Sequence, residues 1–167
     1  MQTASGGGPL AARVTACAAE LLAKIARASE EHWPEAAGIA AQADSLGERA
    51  TPLADLAARA YEEAVAASGG DYELGRAYAN AAEPPLRIVE AAADVAELAA
   101  LIAAHCDPAR RPDAVAAGLL AAAAAGAAAE LVAVNLTVGS DDERLRRSQS
   151  LAEGAARAAA AARAAQE

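Results

Sequence analysis

Residues 110–136 read RRPDAVAAGLLAAAAAGAAAELVAVNL, and almost every side chain after Asp113 is small and apolar. Alanine has the highest helix propensity of the amino acids, so this segment predicts one long helix. Small residues lie along two adjacent stripes of that helix, Ala117, Ala121 and Ala125 on one and Gly118, Ala122 and Gly126 on the next. Because such stripes let neighbouring helices approach closely on more than one side, we expect this helix to be central.

The rest of the chain shares the bias toward small apolar residues. Hydrophobic residues make up 55% of the 167 positions, yet there is no Phe and only one Trp. Val and Ile never alternate with polar residues over the length of a strand, which argues against a sheet. The sequence therefore predicts an all-α fold, an up-and-down bundle of about six helices. The length suits a single domain over residues 1–167.

Glycine, proline and capping residues predict where the helices begin and end. Helices are predicted over residues 9–31, from Pro34 to Gly47, and from Thr51, as N-cap, to the Gly69-Gly70 pair. Pro84 and Pro85 predict a helix-break-helix in the next segment. The Ala-rich helix is expected to end near residues 137–139, and Ser140 with Glu143 predicts a capping box at the start of the last helix.

Charge and cysteine content narrow the setting. The net charge of −9 argues against a nucleic-acid partner, because phosphate contacts need clustered Lys and Arg. The Ala-rich segment is long enough to span a membrane, but it is bounded by Asp113 and carries Glu130, so a buried soluble helix is favoured. The first residues lack a basic start and an apolar run, which predicts a cytoplasmic protein. Cys17 and Cys106 are expected to be reduced, structural thiols.

Asp113 has two interpretations on its spacing alone. A carboxylate in the first turn of a helix is stabilised by the helix dipole and accepts exposed backbone N–H groups. A carboxylate partly sheltered from solvent is also a general acid or base. The sequence around it leaves both interpretations open, and its neighbours Arg110 and Arg111 either hold a ligand carboxylate or lie in a solvated loop.

The order of short motifs along the chain resembles the cyclodeaminase/cyclohydrolase family, whose domain follows formiminotransferase in a bifunctional folate enzyme. These motifs are the N-terminal GGGPLAARVTACAAELL, the middle ARAYEEAVAA, Pro85-Leu86, the loop around Asp107, Pro112-Asp113, Asn135-Leu136 and the helix from Ser140. The resemblance implies a helical homodimer with the active site in a cleft between subunits. It also implies closure of 5-formiminotetrahydrofolate to 5,10-methenyltetrahydrofolate with loss of ammonia, or hydrolysis of the methenyl compound.

The resemblance assigns roles to particular residues. Asp113 is the expected catalytic acid or base. The expected ligand-binding residues are Gly6, Gly7, Gly8, Arg59, Tyr61, Arg110, Arg111 and Asn135. The glycines are alternatively a flexible leader before the first helix, and Asn135 is alternatively a local cap. Neither a metal nor a cofactor is expected, and a tetrahydrofolate derivative would enter only as the substrate.

Two departures from the family pattern affect the expected chemistry. After the three glycines the family carries Ser, whereas this chain has Pro9, which removes a hydroxyl and a backbone N–H together. The middle helix of the family has Asp where this chain has Ala57. Asp55 is two residues earlier, about 200° around a helix, and does not substitute for it. The family's basic pair has no clear equivalent, since His32 and Trp33 align loosely with it.

Three functions therefore remain after the sequence is examined. The first is a folate cyclodeaminase or cyclohydrolase with reduced motifs. The second is an enzyme of the same fold redirected to another small molecule, as in bacterial secondary metabolism. The third is a non-catalytic helical dimer. Trp33 is expected to pack as a hydrophobic staple beside a surface His32, or else to form an aromatic wall for a flat ligand.

Overall fold

The computed structural model describes residues 6–136 and 141–165. Within these ranges the chain forms seven α-helices and one short 3-10 helix, and no strand. The α-helices are α1 (Gly7–Arg27), α2 (Ala36–Ala50), α3 (Leu53–Ala66), α4 (Asp71–Ala81), α5 (Glu83–His105), α6 (Arg111–Asn135) and α7 (Glu143–Ala164). The predicted all-α bundle is confirmed.

The Ala-rich helix α6 lies in the middle of the bundle, packed against α1, α5 and α7. Its small residues permit this close packing: a Cβ added to Gly118 would lie 3.0 Å from the Cβ of Ala99 on α5. The burial is not complete. Leu119 and Leu120 are 44% and 52% exposed, and Val134 is 66% exposed. One face of this largely apolar helix, which also carries Glu130, is thus left without a partner among the described residues.

The segment Pro108–Asn135 is long and apolar enough to cross a membrane by length and composition. Half of its most apolar window is buried inside the bundle. The central helix of a water-soluble protein has these same properties, so they do not by themselves indicate a membrane span.

Several predicted helix bounds differ from the observed ones: α1 covers Gly7–Arg27 where the sequence predicts 9–31, and α2 covers Ala36–Ala50 where it predicts Pro34 to Gly47. Thr51 does not cap α3, because its hydroxyl donates a 2.8 Å hydrogen bond back to the carbonyl of Gly47 and so belongs to the end of α2. Pro52 is the N-cap residue of α3 instead. The capping box predicted at Ser140 falls outside the described residues, and Asp142 caps α7 by accepting the backbone N–H of Arg144.

The predicted break near the Pro-Pro pair is confirmed. Helix α4 ends at Ala81 and α5 begins at Glu83, with the prolines in the first turn of α5, where no backbone N–H is needed. Helix α3 ends at Ala66, before the predicted glycine pair. Of that pair, Gly69 has φ of 140°, a conformation that side chains with a Cβ rarely adopt.

Trp33 packs inside the bundle and His32 is exposed, as the staple interpretation predicts. The indole stacks on the imidazole of His105 with ring centroids 5.1 Å apart, which ties the α1–α2 connection to the end of α5. Cys106 is buried beside this pair, and burial raises the pKa of its thiol. Cys17 is exposed, so the prediction of a structural thiol fits Cys106 only.

Candidate functional site

A cavity of about 140 Å³ lies where the start of α1, the middle of α3, the α4–α5 junction and the end of α6 meet. Residues from four separate stretches of sequence form its wall: Gly8, Pro9, Ala57, Tyr61, Ala81, Pro85, Leu131, Val134 and Asn135. Three of the residues expected to bind a ligand, Gly8, Tyr61 and Asn135, are therefore brought together. The lining residues include no Asp, Glu, Lys, Arg or His.

The glycine-rich entry has a packing role at this cavity. Gly8 is buried, and a Cβ added there would lie only 2.9 Å from the Cβ of Ala57, so α1 and α3 approach closely at this pair. Gly7 faces Leu131 of α6, with an added Cβ at 3.4 Å from its Cδ1. Gly6 is exposed and precedes α1 as its N-cap. The first backbone N–H groups of a helix have no acceptor within it, so this end of α1 also offers donors.

The polar groups of the wall are the side chains of Asn135 and Tyr61. Asn135 is half-buried in the last turn of α6, and its Nδ2 donates a 3.2 Å hydrogen bond to the carbonyl of Ala81 at the end of α4. The side chain of Asn135 thus links α6 to α4, a role that differs from the local cap considered above. Tyr61 is half-buried on α3. Arg59, two residues earlier, is exposed about 200° around the helix and does not line the cavity.

The other predicted site residues lie at the opposite end of α6. Asp113 is exposed in the first turn of that helix, 22 positions before Asn135, which corresponds to about 33 Å along the axis. Arg111 donates from Nε to the carbonyl of Ala103 at 2.9 Å and so caps the end of α5. Arg110 is exposed. A single chain therefore does not bring Asp113 and the two arginines to the cavity.

Comparison with known proteins identifies the fold and the family. The formiminotransferase-cyclodeaminase family profile matches residues 1–154 of the chain. The chain belongs to this family. Its structure is similar to that of formiminotetrahydrofolate cyclodeaminase from Thermotoga maritima, with a TM-score of 0.81 and 23% identity over 95% of this chain and 87% of that one. Comparison with curated proteins gives no match.

The two departures from the cyclodeaminase pattern lie at one place. Pro9 on α1 and Ala57 on α3 are 48 positions apart in sequence, and both line the cavity. The resemblance implies a hydroxyl and a carboxylate at these two positions, and this chain has apolar groups there, in the same wall that holds Tyr61 and Asn135.

Sequence reasoning missed Arg144, which organises the region beside the cavity. Its guanidinium donates to both oxygens of Asp142, to Glu83 at 2.6 Å and to the carbonyl of Ala79 at 3.0 Å. Hydrogen bonds from the Arg144 side chain lower the pKa of Asp142, and the same carboxylate raises the pKa of Arg144. The guanidinium of Arg144 therefore joins α4, α5 and α7. The D-x-R spacing in SDDERL is the signal that could have indicated it.

The described ranges 6–136 and 141–165 contain no group of three His, Cys, Asp or Glu side chains that could hold a metal ion.

Proposed function

We propose that this chain is an enzyme of the cyclodeaminase/cyclohydrolase type that closes or hydrolyses a C–N bond of a small molecule in the cavity. One observation supports the proposal most directly. In this chain, which belongs to the family, Gly8, Tyr61 and Asn135 line a single cavity that is large enough for a ligand ring. Formimino- or methenyltetrahydrofolate is the ancestral substrate in this proposal, and no cofactor takes part. The proposed location is the cytoplasm, in agreement with two cysteines that form no disulfide.

The reaction needs a group that moves a proton to the leaving amine or from water. The cavity wall holds no carboxylate, and the remaining candidate, Asp113, is about 33 Å away in the same chain. We therefore propose a homodimer in which Asp113 of the partner subunit completes the site. This arrangement gives the exposed carboxylate a role that a single chain does not provide.

The exposed face of α6 supports such a dimer. Its exposed positions 116, 120, 123, 127, 130 and 134 recur at alternating spacings of four and three residues, which places them on one stripe. Two antiparallel copies of α6 related by a two-fold axis at Ala123 place Leu119 of one against Ala127 of the other, so a large side chain meets a small one. In that register, position 113 of one copy lies opposite position 133 of the other, one turn from the cavity.

We expect the purified protein to sediment as a dimer at micromolar concentration. An alanine-based core buries little apolar area per side chain, and covering Leu119, Leu120 and Val134 adds to it. Leu120→Arg places a charge in this interface and is expected to shift the species toward the 16.5 kDa chain. Leu101→Arg, at an exposed leucine on α5, is the control and should leave the dimer intact. A folded wild-type monomer in sedimentation equilibrium would contradict the proposal.

Blocking the cavity tests whether it is the site of reaction. Val134 lines the cavity and is 66% exposed, so Val134→Trp adds a large side chain without disturbing the core. We expect this variant to lose at least nine-tenths of whatever turnover of 5-formimino- or 5,10-methenyltetrahydrofolate the wild type shows. Leu101→Trp, at an exposed leucine that does not line this cavity, should retain it.

Two results would overturn the proposed function. The first is wild-type turnover of both folates that does not exceed the uncatalysed rate. The second is turnover that Val134→Trp leaves unchanged, which would place the reaction outside the cavity. Circular dichroism melting and sedimentation equilibrium of both tryptophan variants check that they remain folded and dimeric, because Val134 also lies on the proposed interface.

A further inference from the structure

The cavity is partly open to solvent, so its size limits the part of a ligand that its wall can surround. An apolar cavity of about 150 Å³ accommodates one benzene molecule. The cavity at the end of α6 measures about 140 Å³ and therefore has room for one six-membered ring. A bicyclic pteridine with its substituents has about twice as many heavy atoms and would extend well beyond the wall.

The wall also selects against negative charge. Pro9 and Ala57 supply apolar surface at the two positions where the resemblance implies a hydroxyl and a carboxylate, and Leu131 adds to this surface. The nearby guanidinium of Arg144 is paired with Asp142 and Glu83, so its charge is already compensated. A carboxylate group placed in the cavity would lose its hydration and gain no opposite charge from the lining residues, which is costly.

The hydrogen-bonding capacity of the wall is directional. The Nδ2 of Asn135 is engaged by the carbonyl of Ala81, and its Oδ1 has no partner among the described residues. A ligand that meets this oxygen must therefore donate an O–H or N–H. Tyr61, whose hydroxyl can donate or accept, lines the same cavity.

We infer that the cavity binds a single ring that carries no negative charge and bears one O–H or N–H donor, either as a whole molecule or as the ring of a larger one. The inference rests on the proposed function, because it names the substrate class of the same cavity. A ligand of this class places its ring against Pro9, Ala57 and Leu131 and donates to Asn135 Oδ1. The negatively charged tail of a folate would remain outside.

Isothermal titration with four probes tests the inference. Phenol carries the ring and the donor, anisole lacks the donor, benzoate carries a charge, and benzene carries neither. We expect phenol to bind at least tenfold more tightly than anisole or benzene, and benzoate to give no measurable heat. Asn135→Leu should reduce phenol binding to the level of anisole. Gln42→Leu, which removes an exposed amide from a groove beside α5, is the matched control and should change nothing.

The outcomes separate this inference from the proposed function. Equal binding of phenol and benzoate, equal binding of phenol and anisole, or no binding of any probe would overturn the inference. If Asn135→Leu fails to fold, Val134→Trp at the exposed edge of the cavity provides the second test and should abolish phenol binding. Folate turnover that Val134→Trp blocks, in a protein that does not bind phenol, would overturn the inference and leave the proposed function standing. Phenol binding without folate turnover would support the inference and overturn the proposed function.

Discussion

Purified protein is expected to turn over 5-formiminotetrahydrofolate about three to six orders of magnitude more slowly than the roughly 1 per second or faster of ordinary enzymes. The resemblance implies two polar contacts at positions 9 and 57, which Pro9 and Ala57 in the cavity wall cannot make. Each missing contact to a reacting centre weakens transition-state stabilisation by about 2–4 kcal/mol. Together they account for about 4–8 kcal/mol, which gives this decrease in rate. Ammonia release and absorbance of the methenyl product measure it.

Introducing the residues of the family pattern at both positions in one protein tests whether the lost turnover can be regained. The double variant Pro9→Ser with Ala57→Asp is expected to gain at least two orders of magnitude in folate turnover. Because Ala57 lines the cavity, the new carboxylate is expected to reach it. The control is Leu56→Asp, which adds the same charge at an exposed neighbouring position. An ordinary enzymatic rate in the wild type, or no gain in the double variant, would show that these two positions do not limit the reaction.

Asp113→Asn is expected to lower kcat/KM by about two to four orders of magnitude, the contribution typical of general acid–base catalysis. The measurement is made in the double variant, where turnover is fast enough to follow. Asn keeps the capacity to accept backbone N–H groups and loses the titrating carboxylate, so the melting temperature should change little. The effect should depend on dimerisation, because Asp113 lies far from the cavity of its own chain.

Asp55→Asn is the matched control for this substitution. Asp55 is also an exposed carboxylate in the first turn of its helix, α3, so any general effect of removing such a charge appears in both variants. Unchanged turnover and unchanged ligand affinity in Asp113→Asn would show that Asp113 only stabilises the start of α6 through the helix dipole. Loss of activity in both variants alike would point to stability and not to catalysis.

The sequence was sufficient to predict the helices but not all of their ends. The Ala-rich helix, the break before Pro84 and the burial of Trp33 follow from propensity, missing N–H groups and hydrophobicity. Thr51 was assigned wrongly because a hydroxyl can bond either forward to a new helix or back to the carbonyl of Gly47. That choice depends on the positions of the flanking helices, which local sequence does not specify.

The candidate site was predictable in part. That Asp113 and Asn135 lie at opposite ends of a helix follows from their spacing and the rise per residue, and arithmetic on the sequence already separates them. The meeting of Pro9 with Ala57 does not follow in this way, because it depends on how α1 packs against α3. No periodicity within either helix indicates that the two departures share one wall.

The contact between Gly8 and Ala57 also restricts how this cavity can evolve. With only 2.9 Å between an added Cβ at position 8 and the Cβ of Ala57, a side chain can enlarge at one of the two positions only while the other stays small or the helices separate. The order of mutations therefore matters. A lineage that keeps Gly8 can acquire a longer side chain at position 57 and test new chemistry in the cavity, whereas one that first replaces Gly8 by Ala closes that route.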